Sequence, residues 1–148
     1  MSGSVGVVGT GFIGCSLALA LREAGRTVLG FDRDRIRLEL ALELGHLDGP
    51  ATSIADLAAA VEAVFVAVPV SGIAEAVCAA LDAGAPAVSD VGSVKRPVVS
   101  AVEAARPEAV RRFVGGHPMA GSERDGPEGA RKDLFAGATW VLTPVAST

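Results

Sequence analysis

The sequence predicts a doubly wound α/β domain, a mainly parallel six-stranded sheet with helices on both faces. Three observations point there. Short Val-rich runs alternate with longer Ala- and Leu-rich stretches, each strand-and-helix pair taking roughly 20–30 residues, the βαβ rhythm of a parallel sheet. A Gly-x-Gly-x-x-Gly sequence, Gly9 to Gly14, stands where the first run gives way to the first long stretch. The composition is 50% hydrophobic but only 4% aromatic, so Ala, Val and Leu must fill the core, which suits helices packed closely on a sheet buried on both faces. A length of 148 residues suits one domain.

The elements follow in order. Val5 to Val8 reads as a buried strand. Phe12 to Ala24 is apolar almost to its end, a helix buried on most sides, and Gly25 stops it. Thr27 to Phe31 is the second strand, ending at Asp32. Asp34 to Leu44 alternates leucines and charges in part, as a strand would, but its length, its Glu and Arg content and the closing Gly45 favour a helix, with His46 at its C-terminal end. Ser53 to Ala60 is a short helix, with Ser53 as N-cap and Asp56 in a weak capping box. Val64 to Val68, closed by Pro69, is the third strand, and Ser71 to Leu81 a helix capped by Ser71. Ala87 to Ser89 and Phe113 to Gly115 are the fourth and fifth strands, with a helix from Ser93 to Ala105 between them. Gly126 to Leu134 reads as a short helix and Ala138 to Leu142 as the sixth strand.

A net charge of −4 and a pI near 5.1 argue against a nucleic-acid-binding face. No apolar run reaches the roughly 18 residues of a membrane span, and no basic leader precedes the first strand, so a soluble, cytoplasmic protein is expected. The two cysteines, Cys15 and Cys78, lack metal-ligand spacing and read as small buried hydrophobes, reduced in that compartment. No metal is expected.

The glycine motif carries chemistry because of its context between strand and helix. Gly9 permits the tight turn, Gly11 lets the backbone approach a pyrophosphate, and Gly14 lets the helix pack on the strand. The N–H groups of Phe12 and Ile13 stand in the helix's first turn, where they and the helix dipole favour phosphate. This is the Rossmann-type signature. Asp32, 23 residues after Gly9, is placed to accept from ribose hydroxyls and to repel the extra phosphate of NADP. Arg33 and Arg35 could instead pair with that phosphate. NAD is favoured, with NADP possible. Val68 and Pro69 follow the third strand and should line the cofactor.

In such sheets ligands bind beyond the carboxyl ends of the strands. The segments 67–71, 90–95 and 115–123 should therefore face one crevice. His117, in Gly115-Gly116-His117-Pro118, can take a proton near neutral pH while a hydride leaves an alcohol. Ser93 can orient the His117 ring or touch the substrate oxygen.

Four segments in chain order resemble the nucleotide-binding domain of the prephenate dehydrogenase family, which includes the arogenate and cyclohexadienyl dehydrogenases of tyrosine biosynthesis. They are Gly9 to Ala18, Asp90 to Lys95, Gly115 to Glu123, and Trp140 to Pro144, so the resemblance spans residues 1–148 as a dinucleotide-binding domain. It implies oxidative decarboxylation of prephenate to 4-hydroxyphenylpyruvate with NAD(P). His117 would bind the ring hydroxyl and take up its proton, with Ser93 beside that hydroxyl and the nicotinamide, and Ser122 and Glu123 toward the substrate mouth. The family continues into a helical dimerisation domain, absent from this chain, that supplies an arginine for the substrate carboxylate. Arg124, Arg131 and Lys132 read as surface charges rather than its replacement. Cys15 stands where many relatives have glycine. A dehydrogenase of the same fold for another hydroxy acid or an imine, or a dinucleotide-binding module without catalysis, are the other readings.

Overall fold

The computed structural model describes residues 3–121 and 124–145. Seven strands form one sheet: β1 (Ser4–Val8), β2 (Thr27–Phe31), β3 (Gly49–Pro50), β4 (Ala63–Val66), β5 (Val88–Asp90), β6 (Phe113–Pro118) and β7 (Trp140–Pro144). Five helices connect them: α1 (Phe12–Glu23), α2 (Arg35–Glu43), α3 (Ile54–Ala60), α4 (Val70–Asp82) and α5 (Arg96–Ala105). The strand order is β3-β2-β1-β4-β5-β6-β7, parallel throughout except for the antiparallel β6–β7 pair. Strand order reverses between β1 and β4, which opens a crevice at their carboxyl ends.

Both faces of the central strands are covered, so β1 and β4 are made almost wholly of apolar residues and glycine. Val7 and Val28 pack with Cys15, Ala18, Leu38 and Ala41 on the layer of α1 and α2. On the other face Val64, Val66 and Val88 pack with Leu57, Ile73, Val77 and Val102 of α3, α4 and α5. Phe113 is the largest fully buried side chain, so small aliphatic groups do most of the filling.

Local signals act where expected. Gly25 (φ +88) and Gly45 (φ +78) take the left-handed conformation at the ends of α1 and α2, and the N–H groups after them return to carbonyls of the last turns, Arg26 to Leu21 and His46 to Ala41. Ser53 caps α3 by accepting from the Asp56 N–H at 2.9 Å, while the Asp56 carboxylate reaches back to Thr52 instead of the Ser53 N–H.

Other expectations are corrected. The sheet has seven strands, not six, because two residues, Gly49 and Pro50, add to the edge of β2, too short a pairing to leave a period in the sequence. α4 begins at Val70 behind Pro69, and Ser71 makes no cap bond, since the proline already sets the entry backbone. The helix expected from Ser93 starts at Arg96, because residues 91–95 form a loop tied to Asp90. The helix expected at 126–134 is only a 3-10 turn, Pro127–Gly129. β6 runs three residues past its expected end and β7 begins two residues later than expected, because Gly115 to Pro118 pair with Thr143 to Trp140. His117 thus sits in a strand opposite Val141 rather than in a loop.

Candidate functional site

The crevice between β1 and β4 is a cleft of about 610 Å³. Of the expected cofactor residues, Gly9, Gly11, Phe12, Ile13, Asp32, Arg33, Val68 and Pro69 line it, and Gly14 lies behind them, in the first turn of α1. Two of the glycines fit their assigned tasks. Gly9 has φ +99, and its peptide N–H donates to the Phe31 carbonyl at 2.8 Å. A Cβ on Gly14 would overlap the Gly9 carbonyl oxygen and come within 3.0 Å of its carbon, so the helix can approach the loop only with glycine there.

Asp32 does more than the sequence suggests. Its Oδ2 accepts from the Thr10 N–H and hydroxyl, both at 2.9 Å, and its Oδ1 accepts from the Asp34 N–H at 2.8 Å. The carboxylate therefore braces the glycine loop and the turn into α2. Asp34, in turn, caps α2 by accepting from Ile36 and Arg37.

The chain beyond β6 returns to the cradle. An ideal Cβ on Gly121 would lie 3.9 Å from Ile13 Cδ1, and the Asp125 carbonyl accepts the Phe12 N–H at 2.9 Å. Arg37 donates to the Asp125 carboxylate at 3.2 Å, and its other terminal nitrogen would lie 3.1 Å from a Cβ on Gly11. Asp125 foremost, then Asp32 and Asp34, raise the Arg37 pKa above its ordinary value. Phe12 thus shares its donor with the protein's own carbonyl, while the N–H groups of Ile13 and Gly14 have no carbonyl four residues back within the helix. Arg37, Arg124 and Asp125 all border the cleft; Arg37 and Asp125 were not read from the sequence, and Arg124, read as a surface charge, is exposed at the cleft's border. Arg37 and Asp125 are 88 residues apart, and no local pattern links them.

His46 is buried, and its Nε2 lies 2.9 Å from the Pro127 carbonyl, while the Arg131 N–H donates to Ser16 Oγ at 3.0 Å. These contacts hold the 124–131 segment across α1 and α2. Arg131 and Lys132 pair with Asp133 and Glu23 on the surface.

Cys15 is fully buried and donates its thiol to the Thr10 carbonyl at 3.3 Å. Burial first, then the Asp32 and Glu128 charges, push its pKa up to about 12 against the opposing pull of Arg37. It is a packing residue of the cradle, with no accessible thiolate.

His117 and Ser93 do not line the cleft. They lie at the carboxyl end of the sheet, on β6 and in the loop after β5, two strands and one strand beyond β4. Of the three segments expected in one crevice, only 67–71 lines it. His117 is half-buried and Ser93 exposed. The Asp90–Lys95 ion pair bonds to the backbone of Gly116, next to His117, and of Gly92, next to Ser93. Ser122 and Glu123 lie outside the described residues. Among the described residues, no group of three or more His, Cys, Asp or Glu is placed to hold a metal, and no helix is long and apolar enough to cross a membrane.

A glycine loop opening α1, an acidic residue ending β2 and a cleft at the reversal of strand order define a dinucleotide-binding domain of the Rossmann class. The family model "Prephenate dehydrogenase, nucleotide-binding domain" matches residues 17–148. The chain belongs to the prephenate dehydrogenase family, within its nucleotide-binding domain. It is 33% identical to the prephenate dehydrogenase of Bacillus subtilis over 100% of this chain and 41% of that protein. The crystal structure of prephenate dehydrogenase from A. aeolicus, in complex with hydroxyphenyl propionate and NAD+, superposes with a TM-score of 0.88 at 34% identity, covering 100% of this chain and 52% of that one. Synechocystis arogenate dehydrogenase superposes with a TM-score of 0.86 at 33% identity, over 98% of this chain and 51% of that one. An imine reductase from Pseudomonas sp., at 16% identity, shares the fold alone. The chain spans about two fifths to one half of the length of these relatives.

Proposed function

We propose that this chain is the cofactor half of an NAD-dependent prephenate dehydrogenase, acting in tyrosine biosynthesis. The carrying observation is that β6 brings His117 to the carboxyl end of the sheet, while Asp125, close behind it in sequence, accepts the Phe12 N–H of the glycine cradle through its carbonyl. A proton acceptor and a phosphate cradle are thereby joined by one short segment. The relative crystallised with hydroxyphenyl propionate and NAD+ supports the same pairing of ligands.

The cradle holds the pyrophosphate on the N–H groups opening α1. Asp32 retains acceptor capacity on Oδ1 for a ribose hydroxyl, and its charge disfavours a 2′-phosphate, so NAD is the proposed cofactor. Bound NAD supplies the hydride acceptor. His117 takes the proton from the ring hydroxyl of prephenate as the ring carbon gives up its hydride. Loss of CO₂ then returns an electron pair to the ring, whose oxygen takes back the proton held by His117 to give the phenol of 4-hydroxyphenylpyruvate, and aromatisation drives the sequence. Ser93 donates to or accepts from the same hydroxyl, and Ser122 and Glu123 are further substrate contacts in this reading. A further helical region, as long as the relatives' remaining half, would complete the substrate cleft, supply a cation for the carboxylates and form a homodimer.

The test is turnover by the protein expressed from the complete reading frame, with prephenate and arogenate each offered with NAD and NADP. Prephenate and NAD should give reduced cofactor. His117→Asn should abolish most turnover, on the order of 10²–10⁴-fold, while NAD affinity stays unchanged. Absence of turnover with either substrate refutes the reading, and equal losses in turnover and NAD affinity would make His117 a structural residue.

A further inference from the structure

We propose that Asp90 and Lys95 are positioning residues, a buried ion-paired clamp that fixes His117 by its backbone and holds Ser93 in the same loop. The inference rests on the roles assigned above to His117 and Ser93 and adds two residues that those roles do not use.

Asp90 closes β5 with no exposed surface, and the Lys95 side chain is 13% exposed. A buried carboxylate is costly unless it is paired and its lone pairs are satisfied. Here the contacts tie the 90–95 loop to the approach to His117. Asp90 Oδ2 accepts from the Lys95 ammonium and from the Gly92 N–H at 2.9 Å. Asp90 Oδ1 accepts from the Gly116 N–H at 3.1 Å. The Lys95 ammonium also donates to the Gly116 carbonyl at 2.7 Å. The pair thus grips both peptide units flanking Gly116, and the second of these contains the amide nitrogen of His117.

The sheet itself does not provide this grip. The β5–β6 ladder pairs Val88 with Phe113 and Ser89 with Val114, and ends there. From Gly116 onward β6 has strand pairing only on its β7 side, where His117 lies opposite Val141. Side-chain bonds from Asp90 and Lys95 replace the missing ladder on the other side. Gly116 is glycine for the same reason: a Cβ there would lie 2.6 Å from the Asp90 carbonyl oxygen and 2.8 Å from Trp140 Nε1. Pro118 restricts His117 from the following side. The 90–95 loop is closed at both ends on the Asp90 carboxylate, so Ser93 is carried by the clamp that carries His117. Two groups meant to meet one hydroxyl share a single buried anchor, and a misplacement of about 1 Å is enough to cost a large factor in rate.

The test separates positioning from stability. Three variants, Asp90→Asn, Lys95→Met and the double Asp90→Asn/Lys95→Met, are made in the protein expressed from the complete reading frame. Each is read by kcat, by NAD affinity, by melting temperature and by the ¹³C-histidine NMR signal of His117, assigned with His117→Asn. Asp90→Asn should lower kcat about tenfold or more with NAD affinity unchanged. Lys95→Met strands a buried carboxylate and should lower the melting temperature. The double variant removes both charges and should regain the melting temperature. It should still keep the loss in kcat, with a His117 signal that is broadened or split. Recovery of kcat together with melting temperature in the double variant overturns the proposal, as does wild-type kcat in Asp90→Asn. If the wild-type protein oxidises neither prephenate nor arogenate, the proposed function fails while the clamp stays testable. A single sharp His117 signal in both wild type and double variant then refutes it, and a broadened signal in the double variant alone supports it.

Discussion

Replacing Gly14 with alanine should disable the cradle, whereas the same change at Gly25 should not, although both are glycines at the ends of α1. A Cβ on Gly14 would overlap the Gly9 carbonyl oxygen, with the Gly9 carbon 3.0 Å and the Ala67 Cβ 3.4 Å away. Backbone cannot rotate aside as a side chain can, so α1 must shift off the loop. Overpacking of this kind costs about 1–3 kcal/mol of stability. At about 2–4 °C per kcal/mol, the melting temperature should fall by about 2–12 °C. The larger effect is on binding. The shifted helix withdraws N–H groups from the phosphates, and each lost hydrogen bond to a charged group costs about 1.5–3 kcal/mol, roughly tenfold to more than a hundredfold in affinity. At Gly25 a Cβ meets nothing within 4 Å, and only the strain of φ +88 remains. That strain costs about 1–2 kcal/mol, offset by about 0.4–1 kcal/mol from the stiffer unfolded chain, with no change in the cradle. Calorimetric titration with NAD, alongside thermal melts, reads both. Wild-type NAD affinity in Gly14→Ala, or an equal loss of affinity in Gly25→Ala, would refute the reasoning.

Two further outcomes follow from the charges. The Cys15 thiol, with its pKa pushed up to about 12, should resist iodoacetamide at pH 8 in the folded protein and react only once it unfolds; modification at the rate of a free thiol would show that the cradle opens. Asp82 accepts two bonds from Arg106, at 2.6 and 2.7 Å, which hold its pKa below the ordinary 3.8. Because the folded pKa is the lower one, this pair stabilises above the ordinary carboxylate value and its contribution disappears as pH falls through the folded pKa. Asp82→Asn should therefore narrow the difference in melting temperature between pH 6 and pH 3, by a small amount because both groups face solvent. An unchanged or widened difference would count against the pair.

The cofactor end of the site was readable because its signals are local. Gly9, Gly11 and Gly14 are set by conformational and contact limits within a few residues of themselves, and the turn into α1 is written in that spacing. Ser53 and Gly45 mark helix ends through bonds that span at most five residues. The end of the sheet that carries His117 was readable as residue types but not as geometry. Nothing in the run from Phe113 to Pro118 says that it stays in the sheet through His117, because that depends on β7, more than twenty residues later. Asp32 was read only for what it offers a cofactor, and its brace on Thr10 went unread because those bonds cross 22 residues of chain.

By itself the sequence determined the α/β class and the positions of the glycine cradle and helix ends, which rest on periodicity and on the conformational limits of single residues. Only the tertiary structure decided that a two-residue strand joins the edge and that β7 runs antiparallel. It also decided that Asp125 returns to the Phe12 N–H, and that Asp90 and Lys95 grip the peptides leading to His117. Each of these joins groups far apart in the chain, or depends on where neighbouring strands begin and end. Such contacts are selected by the packing of the whole sheet, and no stretch of sequence contains that information alone.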